Sequence, residues 1–251
     1  MNAARAKIGN NQGIEYRYSG NNQAKIIDFY EIEVNVSKYQ LRIYKEDLGK
    51  TAMKKGWGGV SELKKKLVTL TSPENYQHSN IITLNYRTLE EKVFLFSEEG
   101  IKNPVESLNS YFDIREDIVD VKRRVPTDYP DLCYLPSDLD YRFEFVLSSI
   151  GEGVAGYLME SLYDYKLIAR PLGLHPDFIM RKDNDTDILV EVVCGSTFKE
   201  IRRGVMAGMF YLMDLLSHFC YLSDKKFEAY VVGVELAKRN EFESFIVEGY
   251  M

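Results

Sequence analysis

The chain has 251 residues, 45% of them hydrophobic and 13% aromatic, which is enough for a real core in one large domain or two ordinary ones. No apolar run approaches the ~20 residues of a membrane span, and residues 1–13 lack the apolar stretch of a secretion signal, so a soluble cytoplasmic protein with no membrane partner is expected. The net charge of −6 is uneven: residues 1–125 hold 20 Lys and Arg against 17 Asp and Glu, and the remainder 12 against 21, so general attraction for nucleic acid belongs to the front half.

Three cysteines, Cys133, Cys194 and Cys220, form no Cys-x-x-Cys pair, which speaks against a disulfide framework or a zinc knuckle. The three histidines, His78, His175 and His218, lie far apart and do not suggest a His-rich metal site.

The first 25 residues are rich in Asn, Gln and Gly, and disorder is expected for residues 1–13. Alternation of apolar and polar residues over 26–36 and 39–44 reads as a hairpin turning at Ser37-Lys38. Residues 61–70 have the spacing of a short amphipathic helix, with Ser61 as N-cap. Just ahead and within it, Lys54, Lys55, Lys64, Lys65 and Lys66 surround the glycine loop that carries Trp57. Lysines beside an exposed Trp suit phosphates and a stacked base, whereas an inward-packed Trp beside a solvated helix face is the plainer alternative. A second hairpin is predicted from 81–86 and 91–96 with its turn at 87–90, and 113–124 reads as a charged helix. Pro126, Pro130 and Pro136 then place a boundary, giving a β-rich N-terminal module at 1–125 and a second domain at 126–251.

Residues 141–163 have helical spacing, and Gly151, Gly153 and Gly156 within them predict close packing. A strand at 166–171 follows. Residues 175–193 then read as a hairpin, since the polar run 182–187 separates Phe178-Ile-Met from Ile188-Leu-Val. A helix at 196–221, apolar nearly all round after Val205 and therefore expected to be buried, precedes strands at 226–236 and 242–247.

If the hairpin turns about Asn184, residues whose numbers sum to 368 lie opposite one another, and Asp177 faces Glu191. Like charges opposed across strands repel, by roughly 3 kcal/mol at about 5 Å and an effective dielectric near 20. A hard divalent cation such as Mg²⁺ (or Mn²⁺) would turn that repulsion into a binding site. A register one residue away would instead send Glu191 to water. Asp183–Asp187 mimics the start of an EF-hand loop, but Ile188 and Cys194 stand where Gly and Glu are needed.

The order helix, three strands, helix, strand, with Pro176-Asp177 opening the second strand and Glu191 in the third, resembles the PD-(D/E)XK nuclease superfamily over residues 141–237. The resemblance implies an α+β fold, the N-terminal β-rich module followed by a restriction-endonuclease-like αβββαβ core whose mixed sheet is flanked by helices. It implies a metal-dependent nuclease that hydrolyses DNA or RNA, with Asp177 and Glu191 binding Mg²⁺, the Val192 carbonyl as a further ligand, and Glu152 as the acid of the first helix. Where the family has a Lys two positions after the Glu, this sequence has Val193. Lys199, on the first turn of the next helix, is the replacement expected, and Arg202 and Arg203 are further cations for phosphate. His175, two residues before Asp177, is either a supporting group or a strand-end residue without a role. The departure at Val193 keeps a second function open, a nuclease-like fold without catalysis that binds nucleic acid or protein. Many members of the superfamily are dimers, and a homodimer is left open.

Overall fold

The computed structural model describes residues 31–42, 77–98, 100–124, 143–171, 175–184, 186–219 and 226–250. Strand β1, Glu31–Arg42, alternates buried Ile32, Val34 and Val36 with more exposed neighbours. It does not turn at Ser37-Lys38. The strand runs on through these residues while its apolar alternation changes phase, Val36 facing one core and Tyr39 the other, and the expected hairpin is replaced by pairing with strands distant in the chain. The register against β2, Gln77–Asn85, merely shifts between Val36 and Lys38.

Residues 91–96 are likewise not a strand. Helix α1 spans Tyr86–Phe96, and the Asn85 side chain caps it by accepting the Thr88 N–H at 2.8 Å. Tyr86, Leu89, Val93 and Phe96 are buried, a helical stripe that overrides the local apolar run Val93-Phe-Leu-Phe96. The predicted turn at 87–90 is its first turn. Helix α2, Pro104–Arg124, starts well before the expected residue 113, with Pro104 at its first position, where a missing N–H costs nothing.

From residue 143 onward the element order is the one expected. Helix α3, Glu144–Tyr163, leads to β3, Lys166–Ala169, then β4, Phe178–Arg181, and β5, Thr186–Gly195. Helix α4, Phe198–Phe219, crosses to β6, Lys226–Lys238, and β7, Glu241–Tyr250, closes the described chain.

The seven described strands form one mixed sheet in the order β2-β1-β7-β6-β5-β4-β3. The β1–β7 and β5–β6 pairs are parallel and the others antiparallel. The architecture is therefore α+β, and strands from both sides of the expected boundary at 125/126 share the sheet. Helices α1, α2 and α3 contribute to the core on one face, which includes Leu89, Val93, Phe96, Leu108, Tyr111, Ile150, Val154 and Leu158 beside Ile188, Val190 and Val232. Helix α4 covers the other face with Ile201, Val205, Met209, Leu212 and Met213 against Leu189 and Val231. Each such fully buried side chain contributes roughly 1.5–3 kcal/mol.

The glycines of α3 lie where helices and sheet touch. A Cβ on Gly151 would stand 2.5 Å from Cys194 Cβ, one on Gly153 would meet Val93, and one on Gly156 would fall 2.3 Å from the Phe96 ring. Among the described residues no helix is long and apolar enough to cross a membrane. The lysine cluster, Trp57 and the predicted helix at 61–70 lie outside the described residues.

Candidate functional site

The β4–β5 hairpin has the register read from its sequence: Phe178 pairs with Val190, Ile179 with Leu189, Met180 with Ile188 and Arg181 with Asp187, every pair summing to 368. Its turn is held by Asp183, whose Oδ1 accepts the Thr186 N–H at 2.7 Å. Along β5, Ile188, Val190 and Val192 belong to the face of α3, while Leu189 and Val193 belong to that of α4. Glu191 follows the alternation to the α4 face, where only the absence of a side chain at Gly208 leaves it room. A Cβ there would sit 2.8 Å from Glu191 Cγ. Gly204, one turn earlier on α4, does the same for Val193.

Asp177 lies just ahead of β4, and its Oδ2 accepts the Val192 N–H at 2.6 Å, which ties it to the residue next to Glu191. Glu191 is 6% exposed. Its Oε1 lies 2.5 Å from His175 Nδ1, and its Oε2 is buried with no hydrogen-bond partner among the described residues. Burial, then the charge of Glu191, and further the charge of Glu152, push the Asp177 carboxyl up to about 7 against the Val192 N–H and His175, which favour its charged form. Burial first and Glu152 second push Glu191 up to about 7 as well.

Glu152 is buried on α3, and both of its oxygens are engaged, Oε1 by the Ser148 hydroxyl at 3.0 Å and Oε2 by the Glu98 N–H at 2.9 Å. It differs in this from the other acids on its helix face, since Glu144 is exposed and Glu160 pairs with Lys92. The structure thus brings Glu152, Asp177 and Glu191 into one electrostatic group.

The proposed cations stand differently. Lys199 is on the first turn of α4 and exposed, and it is not among the charges that act on Asp177 or Glu191. Arg203 is exposed too. Arg202 lines a small cavity of about 40 Å³ with Tyr39, Phe198, Ile201, Val205 and Phe245, whose character is apolar.

Two contacts were not foreseen from the sequence. His175 touches Glu191 directly, and its ring stacks on Tyr211 of α4, centroids 4.8 Å apart and planes 7° from parallel. Nor is α4 buried all round, because Ala207 and Tyr211 of its apolar stretch are exposed. The one signal available for His175 was its two-residue spacing from Asp177. Tyr211 carried none, since nothing local separates an exposed Tyr from a buried one within an apolar helix.

Compared with protein-family models, with curated proteins and with solved structures, the chain matches none. Its chemistry rests on the site alone. Among the described residues no group of three or more His, Cys, Asp or Glu side chains is placed to hold a metal ion. What remains is a pair of carboxylates, one with an unpartnered buried oxygen. A buried polar atom of that kind calls for a partner, and carboxylate oxygens suit a hard divalent cation such as Mg²⁺ or Mn²⁺.

Proposed function

We propose that the protein is a divalent-metal-dependent nuclease that hydrolyses phosphodiester bonds of DNA or RNA, on a core resembling the PD-(D/E)XK nucleases. The single observation that carries the reading is Glu191 Oε2, buried and without a hydrogen-bond partner among the described residues, beside a second carboxyl, Asp177, that is itself pushed toward neutrality. Two acids packed this way cost stability, and a cation shared between them offsets the cost.

Asp177 and Glu191 would hold Mg²⁺ or Mn²⁺, with the Val192 carbonyl as a further oxygen. Such an ion supplies Lewis acidity toward a phosphoryl oxygen and makes water a better nucleophile at neutral pH. The protein's own residues do the positioning. The Val192 N–H aims Asp177, Gly208 admits the Glu191 side chain beneath α4, and His175 holds one Glu191 oxygen. Glu152, fixed by Ser148 and the Glu98 N–H, adds negative charge that favours a bound cation. Lys199 and Arg203, exposed on α4, are the cations offered to substrate phosphate, and residues 1–125 with Lys54, Lys55, Trp57, Lys64, Lys65 and Lys66 supply further nucleic-acid contacts.

The experiment is cleavage of mixed DNA and RNA substrates with Mg²⁺ or Mn²⁺, beside an Asp177→Ala control. Metal-dependent cleavage lost in the variant is expected. Cleavage that persists at full rate in Asp177→Ala would remove the site. One observation favours a second reading, a binding component without catalysis: Val193 stands on the Glu191 face and packs against Gly204, so no ammonium group is supplied from β5 itself. Absence of cleavage with every metal, together with retained nucleic-acid binding, would select that reading.

A further inference from the structure

Tyr211 is 52% exposed, although its helical neighbours Met209, Leu212 and Met213 are fully buried. A single exposed aromatic ring is ordinary on a protein surface. This one is set parallel to the ring of His175, whose side chain is 51% exposed and whose Nδ1 lies 2.5 Å from Glu191. The buried carboxylate therefore fixes the orientation of an outward-facing pair of rings that begins where the acid pair ends. The same helix displays Lys199, Arg203, Ala207 and Tyr211 at exposed positions four residues apart. At 1.5 Å per residue Arg203 lies about 12 Å and Lys199 about 18 Å along the axis from Tyr211, with the small Ala207 between.

We propose that the Tyr211–His175 ring pair is a nucleobase subsite, and that the nucleic acid taken by this site is single-stranded. The inference rests on the nuclease reading for the place of the scissile phosphate, beside Asp177 and Glu191. A nucleotide with its phosphate there has its base within reach of the rings, and the phosphates beyond meet Arg203 and Lys199. Bases inside a duplex already stack on their neighbours, so a protein ring receives a base only where the strand is single or the base is extruded. Any of the four bases presents a π face, which predicts little sequence preference.

The plainer role for Tyr211 is to steady His175 by packing, and the test separates the two. Binding is measured with Ca²⁺ in the Asp177→Asn protein, its fold checked by circular dichroism and melting, using fluorescently labelled single-stranded DNA, single-stranded RNA and blunt duplex of one sequence. One set of oligonucleotides carries 2-aminopurine, and another an abasic site, at successive positions. Tyr211→Ala is expected to weaken single-strand binding about 10- to 100-fold, the range for one base stacked on an aromatic ring. Tyr211→Trp should retain binding, duplex affinity should change less than about twofold, and 2-aminopurine quenching at one position should disappear with the ring. An abasic site at that position should make Tyr211→Ala neutral. Equal affinity of the parent and Tyr211→Ala for single strands would overturn the subsite, as would a loss that persists on every abasic oligonucleotide, or binding to duplex alone. A wild-type protein that cleaves nothing yet binds single strands through Tyr211 would remove the nuclease reading and leave the subsite. Cleavage of single strands indifferent to Tyr211→Ala would do the reverse.

Discussion

The acid pair should make the metal-free protein less stable as pH rises through neutrality. The Asp177 carboxyl moves from 3.8 to about 7 on folding, and Glu191 from 4.5 to about 7. Because both folded values lie above the unfolded ones, the protonated pair favours the fold. Its contribution is complete below about pH 4 and is lost as pH climbs through about 7. For Asp177 alone the rise corresponds to about 4 kcal/mol. Burial is the first cause for both groups and is not shared between them, so about 4 kcal/mol is a lower bound for the pair. The assay is urea denaturation of protein freed of metal with EDTA, at pH 5 and pH 8, alongside the Asp177→Asn/Glu191→Gln double variant. Because pH 5 already lies above both unfolded values, each group crosses about two pH units below its folded value, and the parent should lose at least about 3 kcal/mol more than the double variant between the two pH values. Mg²⁺ or Mn²⁺ at about a hundred times its dissociation constant should return about 2.7 kcal/mol to the parent at pH 8 and nothing to the double variant. Identical pH slopes in the two proteins would refute the reasoning, since burial and repulsion at this pair would then have no energetic consequence.

Gly156→Ala places a methyl 2.3 Å from the Phe96 ring, which itself packs edge-on against Phe178, and should cost about 1–3 kcal/mol in thermal denaturation; an unchanged melting temperature would mean that α1 yields freely. Lys199→Ala should leave folding, metal affinity and turnover at saturating substrate unchanged while weakening nucleic-acid binding, since Lys199 lies about 14 Å along α4 from Gly208, which meets Glu191; a large loss of turnover would put its ammonium group at the scissile phosphate instead. Val193→Lys, on the Glu191 face, should raise turnover above that of the parent; a variant no faster than the parent shows that the added ammonium group does not reach the substrate. Replacing Lys54, Lys55, Lys64, Lys65 and Lys66 with Gln should flatten the salt dependence of nucleic-acid binding, by about 0.7 in the logarithmic slope for each lysine that contacts a phosphate of a single strand, and an unchanged slope would separate this cluster from the interface.

The hairpin was legible in the sequence to the residue. Its register depends on a short polar turn and on period-two alternation, both of which act over neighbours in the chain, so the pairing from Phe178 with Val190 to Arg181 with Asp187 could be worked out from numbering alone. The helix–strand order from residue 143 was legible for the same reason. Where several partners compete for one local pattern, the tertiary structure decided. The alternation of β1 suits a hairpin and a through-running strand equally, and the parallel partnership with β7, some two hundred residues away, selects the second. The apolar run at 93–96 suits strand or helix, and it became a helix because Val93 and Phe96 meet the bare backbone of Gly153 and Gly156 on α3. Burial works in the same way at the site. That Glu152 is enclosed while Glu144 is exposed, and that Tyr211 faces outward against His175, depends on which surfaces α3 and α4 turn to the sheet. Residue type at those positions is compatible with either outcome, because a side chain's surroundings are supplied by segments far along the chain, whose approach only the folded packing determines.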